Sequence, residues 1–271
     1  MKNLILLILA LTICIQSQAQ KENHADVNGV RIYYEIYGEG EPLLLLHGFT
    51  MSHEMWTWWV DDFSEDYMMI IPDLRGHGKS TNPSNEFTHR MAAEDMYSLL
   101  DKLEIDKFNA MGFSTGAMTL THMATMDSSR IKAMVLIGST SFFPEVCRNL
   151  QKEVSFETID EGWMKALVRQ HPGGEDQIRI LLQQFHDMAY SYDDMNFTKA
   201  YLSSIKTPTL IIHGDRDEYF PVDIPVESYK AMPNSYLWII PNYVHRSIYS
   251  RSFWADPFIK LVNQLFSGEW Q

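Results

Sequence analysis

The chain has 271 residues, 45% of them hydrophobic and 21% charged, which excludes a disordered or collagen-like polymer and leaves length for a large core around a sheet. Lys and Arg total 22 against 35 Asp and Glu, a net charge of -13; nucleic acids and anionic membrane surfaces both need a basic footprint, so neither is expected as a partner. The two cysteines, Cys14 and Cys147, make no disulfide framework.

Lys2 is followed by a mostly apolar run over 4–15 and by Ser17-Gln18-Ala19. The run is shorter than the roughly 20 residues a membrane helix needs. A charged start, a short apolar stretch and small residues at its end predict a secretory signal peptide, residues 1–19, cut after Ala19. The expectation is an exported protein, periplasmic or secreted, with no stable transmembrane segment after processing. The alternative is a lipoprotein anchored at Cys14, because Leu11-Thr12-Ile13-Cys14 partly resembles a bacterial lipobox, although Ile13 stands where that motif takes a small residue. Once the leader is gone, Cys147 is left alone and reads as a small packed hydrophobe.

The stretch 30–37, rich in β-branched and aromatic residues, predicts a strand. Short apolar runs follow at 43–46, 68–71, 134–137, 209–212 and 236–240, with a weaker one at 108–111 that leads into a glycine. Bounded by Gly, Pro or Asp, such runs fit strands of a parallel sheet covered on both faces. Helical spacing appears between them: over 88–103, where Met91, Met96, Leu99, Leu100 and Leu103 share a face, and over 115–126, 224–232 and 253–266. The alternation predicts an α/β fold with a mostly parallel central sheet flanked by helices. Residues 145–204 break it. Helix-forming stretches at 159–170 and 176–190, separated by Pro172-Gly173-Gly174, predict a helical cap inserted over the sheet's C-terminal edge. The core is then 20–144 with 205–271.

Gly112-Phe113-Ser114-Thr115-Gly116 lies between a predicted strand and a predicted helix, the context of a G-x-S-x-G nucleophile elbow. The tight turn lifts the Ser114 hydroxyl clear of the sheet and needs small residues two before and two after it, while the helix N-terminus below favours developing negative charge. After the 43–46 strand, His47-Gly48-Phe49-Thr50 brings the Phe49 N–H toward the same place. With the Thr115 N–H it makes a two-donor oxyanion hole; His47 itself reads as structural. Arg75-Gly76-His77-Gly78-Lys79-Ser80 is not a phosphate loop, because Asp73 stands where a Walker sequence has its first glycine. There is no H-E-x-x-H and no Cys/His cluster, so no metal is expected.

These motifs, together with Asp73-Leu74 before Arg75, His213-Gly214-Asp215-Arg216-Asp217 and His245, occur in one order. They make the sequence similar to the α/β-hydrolase superfamily, in particular its serine esterases with a helical cap, over about 25–144 and 205–271. In that family a triad runs Ser, acid, His along the chain. The resemblance implies Ser114, Asp217 and His245 as catalytic residues and no cofactor. Between the two aspartates, Asp217 lies further from the strand end and nearer the reach of the His245 loop, and the family's acid stands at this spacing. Asp215 then braces the loop, through backbone N–H groups or Arg216, and Glu145 is a further candidate acid. Asn242-Tyr243-Val244 replaces the Gly-rich turn that often precedes the family's histidine, so Tyr243 is expected to narrow the site. Family members with an Asp nucleophile, the haloalkane dehalogenases and most epoxide hydrolases, are disfavoured by Ser114.

Met55-Trp56-Thr57-Trp58-Trp59 follows the oxyanion loop, and its indoles fit either an acyl pocket or a helix packed on the sheet, with Trp56 and Trp59 on one face. Met51, Trp56 and Phe113 are pocket candidates, and Phe142, Phe143 and Trp163 close the site from the cap. The expectation is a serine hydrolase acting on small-molecule carboxylic esters of small to medium size through an acyl-enzyme. On the same triad the family also carries C–C bond, lactone and amide hydrolysis and perhydrolysis. The non-enzymatic alternative is a ligand receptor or interaction module, against which an intact triad weighs.

Overall fold

The computed structural model describes residues 21–245 and 253–270. The predicted signal peptide, its cleavage site and Cys14 lie outside the described residues. Eight strands form one sheet: β1 (Lys21–Val27), β2 (Val30–Tyr37), β3 (Glu41–Leu46), β4 (Tyr67–Pro72), β5 (Phe108–Phe113), β6 (Ile131–Ile137), β7 (Thr209–Gly214) and β8 (Ser235–Ile240). Their spatial order is β1-β2-β4-β3-β5-β6-β7-β8. β2 pairs antiparallel with both β1 and β4; every pairing from β4 through β8 is parallel.

The leucine run of β3 explains its central place. Leu43 and Leu45 feed one layer of core and Leu44 and Leu46 the other, all four fully buried. A strand alternates its side chains between faces, so an unbroken apolar run demands cover on both. One face is covered by α3 (His89–Lys102) and α4 (Thr115–Asp127), and also carries α9 (Asp223–Ala231). The other is covered by the short α1 (Glu54–Thr57) and α2 (Val60–Phe63) and by α10 (Ala255–Phe266), where Trp56, Trp59 and Phe258 meet the odd-numbered leucines. Thr88 starts α3, its hydroxyl accepting the Met91 N–H at 3.0 Å, which satisfies one of the helix's free donors.

β1 has no counterpart among the predicted strands, since its sequence is mostly polar. It is an edge strand paired on one side only. Its signal is the turn: Asn28 and Gly29, at φ 45° and 79°, form a two-residue hairpin loop between Val27 and Val30, the connection that Asn-Gly favours.

Between β6 and β7 the chain is helical, with α5 (Glu145–Glu153), α6 (Glu161–Gln170), α7 (Gly174–Asp187) and α8 (Lys199–Leu202). Polar side chains tie this insertion together and to the sheet layers. The buried Arg148 donates to the carbonyls of Phe143, Ala189 and Ser191 at 3.0, 2.7 and 2.8 Å. Asp194 accepts from the N–H of His89 at 2.9 Å and faces its Nδ1 at 2.6 Å. Gln177 donates to the carbonyls of Gly76 and Gly78 at 2.8 and 2.9 Å. Among the described residues no helix is long and apolar enough to cross a membrane.

Candidate active site

Ser114 stands between β5 and α4 with φ 50° and ψ -115°, a conformation few side chains adopt and one that persists only where neighbours enforce it. The enforcement is visible on both sides. A Cβ on Gly112 would lie 2.5 Å from the Gly116 carbonyl carbon, and one on Gly116 would lie 2.2 Å from the Leu46 oxygen. The turn therefore packs backbone on backbone, which is why both positions carry glycine. The Ser114 N–H donates to the Ile137 carbonyl at 2.8 Å, fixing the turn to β6.

His245 follows β8, and its Nε2 lies 3.0 Å from the Ser114 Oγ. Its Nδ1 lies 2.7 Å from Asp217 Oδ2. The other Asp217 oxygen accepts the N–H groups of Tyr219 and Phe220, each at 2.9 Å. Burial pushes the Asp217 carboxyl up, but the His245 hydrogen bond and charge, His213 and the Phe220 N–H outweigh it and hold the group below its ordinary value. It stays an acceptor that keeps the Nδ1 proton on His245. The chain of contacts from Ser114 through His245 to Asp217 is one in which a hydroxyl proton can move onto imidazole while a carboxylate stabilises the charge that forms.

Asp215 does not enter that chain. Its Oδ1 accepts the Asn242 N–H at 2.5 Å and the Tyr243 N–H at 3.4 Å, so it braces the loop that delivers His245. Gly214 lets the two loops touch: a Cβ there would meet the Tyr243 oxygen at 2.2 Å. Glu145 is exposed at the start of α5. Tyr243 packs in the core layer against Trp254, 6.4 Å between rings, and does not narrow the site, because the sheet-side layer takes its ring and it is not among the residues lining the cavity at Ser114.

A cavity of about 340 Å³ opens at Ser114, and Phe49, Thr115 and His245 line it with the serine. The residues expected to supply oxyanion amides are thus at the elbow. His47 sits behind them as a brace. The Leu74 N–H, which can only donate, reaches its Nε2 at 3.0 Å, so Nδ1 carries the proton given to the Gly48 carbonyl at 2.7 Å. Full burial pushes this imidazole down to about 4, so it is neutral and structural. A second imidazole comes from the insertion: His171, fully buried, accepts the Gly78 N–H on Nδ1 at 2.9 Å and donates from Nε2 to the Thr50 carbonyl at 3.1 Å. It clasps the loop that carries Phe49.

Four of the six predicted pocket residues line the cavity: Met51, Phe113, Phe143 and Trp163. Two do not. Trp56 is fully buried in the core layer under α10, as is Trp59; the sheet face needed cover, and the indoles supply it. Phe142 is 42% exposed and bridges to Asn196, because the chain turns there and sends its neighbour Phe143 into the cavity instead. Cys147, Gln151, Phe185, Met188 and Glu218 also line it. Of these, Glu218 was findable, since it follows Asp217 directly; its carboxylate accepts the His245 N–H at 3.1 Å. The others depend on how the insertion's helices turn. Burial pushes the Cys147 thiol up to about 12, so it lines the cavity as a neutral group. Among the described residues no group of three or more His, Cys, Asp or Glu is placed to hold a metal ion.

Residues 41–161 match the family model described as the alpha/beta hydrolase fold. Over 268 residues the chain is 27% identical to a "Putative non-heme chloroperoxidase" of Synechocystis sp., with 88% of this chain and 96% of that one covered. It is 24% identical to a 2-hydroxy-6-oxo-6-(2'-aminophenyl)hexa-2,4-dienoic acid hydrolase of Metapseudomonas resinovorans, covering 84% and 85%. It is 23% identical to a pimeloyl-[acyl-carrier protein] methyl ester esterase of Vibrio atlanticus, covering 79% and 91%. These relatives share a scaffold and differ in chemistry, as expected where function is grafted on a common fold. With its mostly parallel sheet, its elbow between β5 and α4 and this match over 41–161, the chain has the α/β-hydrolase fold.

Proposed function

We propose that this hydrolase cleaves neutral carboxylic esters through an acyl-enzyme on Ser114. The observation that carries the reading is the row of contacts from Ser114 Oγ to His245 at 3.0 Å and from His245 to Asp217 at 2.7 Å. His245 takes the Ser114 proton as the oxygen attacks the ester carbonyl carbon. The carbonyl oxygen gathers negative charge between the Phe49 and Thr115 amides. The bond to the leaving alkoxide then breaks, and His245 returns the proton to that oxygen. Water, deprotonated by the same imidazole, attacks the acyl-enzyme and releases the acid and free Ser114.

Two features of the cavity support a neutral ester over a carboxylate-bearing substrate such as the dienoic acid in one relative's name. Its walls are mostly aromatic and methionine side chains, and the Glu218 carboxylate faces it. An anionic ligand would lose its hydration there and meet like charge. The test is turnover of a panel of neutral esters, with a dienoate C–C substrate beside them, and labelling by a fluorophosphonate. Ester hydrolysis with labelling confined to Ser114 is expected. Stoichiometric labelling without turnover of any ester would point to a ligand receptor, and turnover of the dienoate alone would replace ester by C–C hydrolysis.

A further inference from the structure

We propose that the substrate carries a second polar group, a hydroxyl or an amide, on the part that lies beneath α5, and that Gln151 is the residue that recognises it. The proposal rests on the ester reading above. Cys147 and Gln151 lie one helical turn apart on α5, so they share a face. Both line the cavity, and each is 1% exposed. The Gln151 Oε1 is buried and has no hydrogen-bond partner among the described residues. Buried side-chain amides are ordinarily paired, and one that is not calls for an explanation.

The surroundings give none. Phe143, Trp163 and Met188, which line the same cavity, offer apolar surface. Arg148 on the same helix already spends its guanidinium on three backbone carbonyls. The Glu218 carboxylate is engaged by the His245 N–H. A methionine would fill the volume of Gln151 without the desolvated amide. The amide therefore makes sense as half of a contact that substrate completes. A primary amide presents both a donor and an acceptor, which matches a group that both gives and takes a hydrogen bond. The thiol and amide of this face are neutral, so the matching group is neutral as well. A site built this way discriminates strongly against an analogue lacking the polar group.

The experiment compares methyl alkanoates with methyl hydroxyalkanoates of equal length, the hydroxyl moved one carbon at a time. For wild type, one hydroxyl position should raise kcat/KM at least tenfold over the unsubstituted ester. In Gln151→Met that ratio should fall to within threefold of unity, with a thermal midpoint no lower than wild type. Gln151→Asn, which withdraws the amide by one methylene, is the second variant, and its ratio should drop at least threefold at the preferred position. The proposal is overturned if no hydroxyl position is preferred by wild type, or if the preference survives in Gln151→Met. Turnover of the unsubstituted esters, lost in Ser114→Ala, tests the ester reading by itself. If wild type cleaves no ester, both fall; if it cleaves them with no hydroxyl preference, only the role of Gln151 falls.

Discussion

Both oxygens of Asp217 are occupied, one by His245 and the other by two backbone N–H groups. Asp217→Asn keeps the volume but replaces one acceptor by a donor, so His245 loses the tautomer that accepts from Ser114. Turnover should fall about 10⁴-fold with the fold intact, as for a triad aspartate elsewhere, and Ser114→Ala should fall by a similar factor. Asp215→Asn weakens only the brace on the Asn242 and Tyr243 amides. Its thermal midpoint should drop while turnover stays within about tenfold, the range expected of a residue outside the reacting chain. Assaying the three variants on one activated ester checks the set, and a dead Asp215→Asn would reverse the assignment. The sequence led to these residues through the resemblance of its ordered motifs to the family, with each residue falling in a loop that follows a short apolar strand. Trp56 and Phe142 were not legible, because a tryptophan or phenylalanine near a site suits a core layer, a surface turn or a pocket wall equally well.

Among the elements, the strands with apolar runs could be read directly, while the mostly polar β1 was not predicted, its one local signal being the Asn28-Gly29 turn. Within 145–204, α6 and α7 were legible as helices, whereas α5 and α8 had no predicted counterpart. The rotation of the helices about their own axes was not legible, since tertiary packing sets it, and so Cys147, Gln151 and Met188 entered the cavity unannounced. Trp163→Ala enlarges the wall on α6 and should change relative rates among acyl chain lengths. An equal slowing of every ester would mean that α6 only supports the fold. The clasp made by His171 joins the same insertion to the oxyanion loop. In His171→Leu the Gly78 N–H and the Thr50 carbonyl lose their partner, and each unpaired buried group costs about 1–3 kcal/mol. The midpoint should fall, and kcat should fall with it because the Phe49 amide is no longer held. His171→Gln keeps an acceptor and a donor on one planar group and should recover part of both losses. A melt and a kcat measurement on each variant decide the matter.

At the scale of the whole molecule, one buried charge network contributes to the response to pH on both the acid and the alkaline side. His53 on the loop before α1 lies 2.8 Å from Asp73 and 3.2 Å from Glu35, all three buried. Burial pushes the imidazole down, but the hydrogen bonds and charges of Asp73 and Glu35 win and raise it from 6.5 to about 9. Burial pushes Glu35 up, but His53, Tyr33 and Tyr37 win and lower it from 4.5 to about 2. A raised histidine contributes stability that is complete below its unfolded value and lost as pH climbs through the folded one; a lowered carboxylate contributes stability lost as pH falls through its folded value. Both contributions are therefore complete between pH 4.5 and 6.5. The gap in thermal midpoint between wild type and His53→Gln should be widest there and close toward pH 9. A gap that stays constant across that alkaline range would mean that His53 acts by packing and not by charge.

Ser114 and His245 are 131 residues apart in the chain, and β6, the whole helical insertion and β7 separate them. Parallel pairing over such distances is slow to form, because the loops must close before any contact rewards them. Pairing β5 with β3 and β6 is enough to build the serine's strained turn, yet those strands bring no base beside it. The hydroxyl stays inert until β8 docks and swings its histidine across. Reactivity at Ser114 thus reports that β8 and the loop after it are in place. On dilution from urea, fluorophosphonate labelling should never run ahead of the recovery of native far-UV circular dichroism, and labelling that precedes it would show a serine reactive without its base.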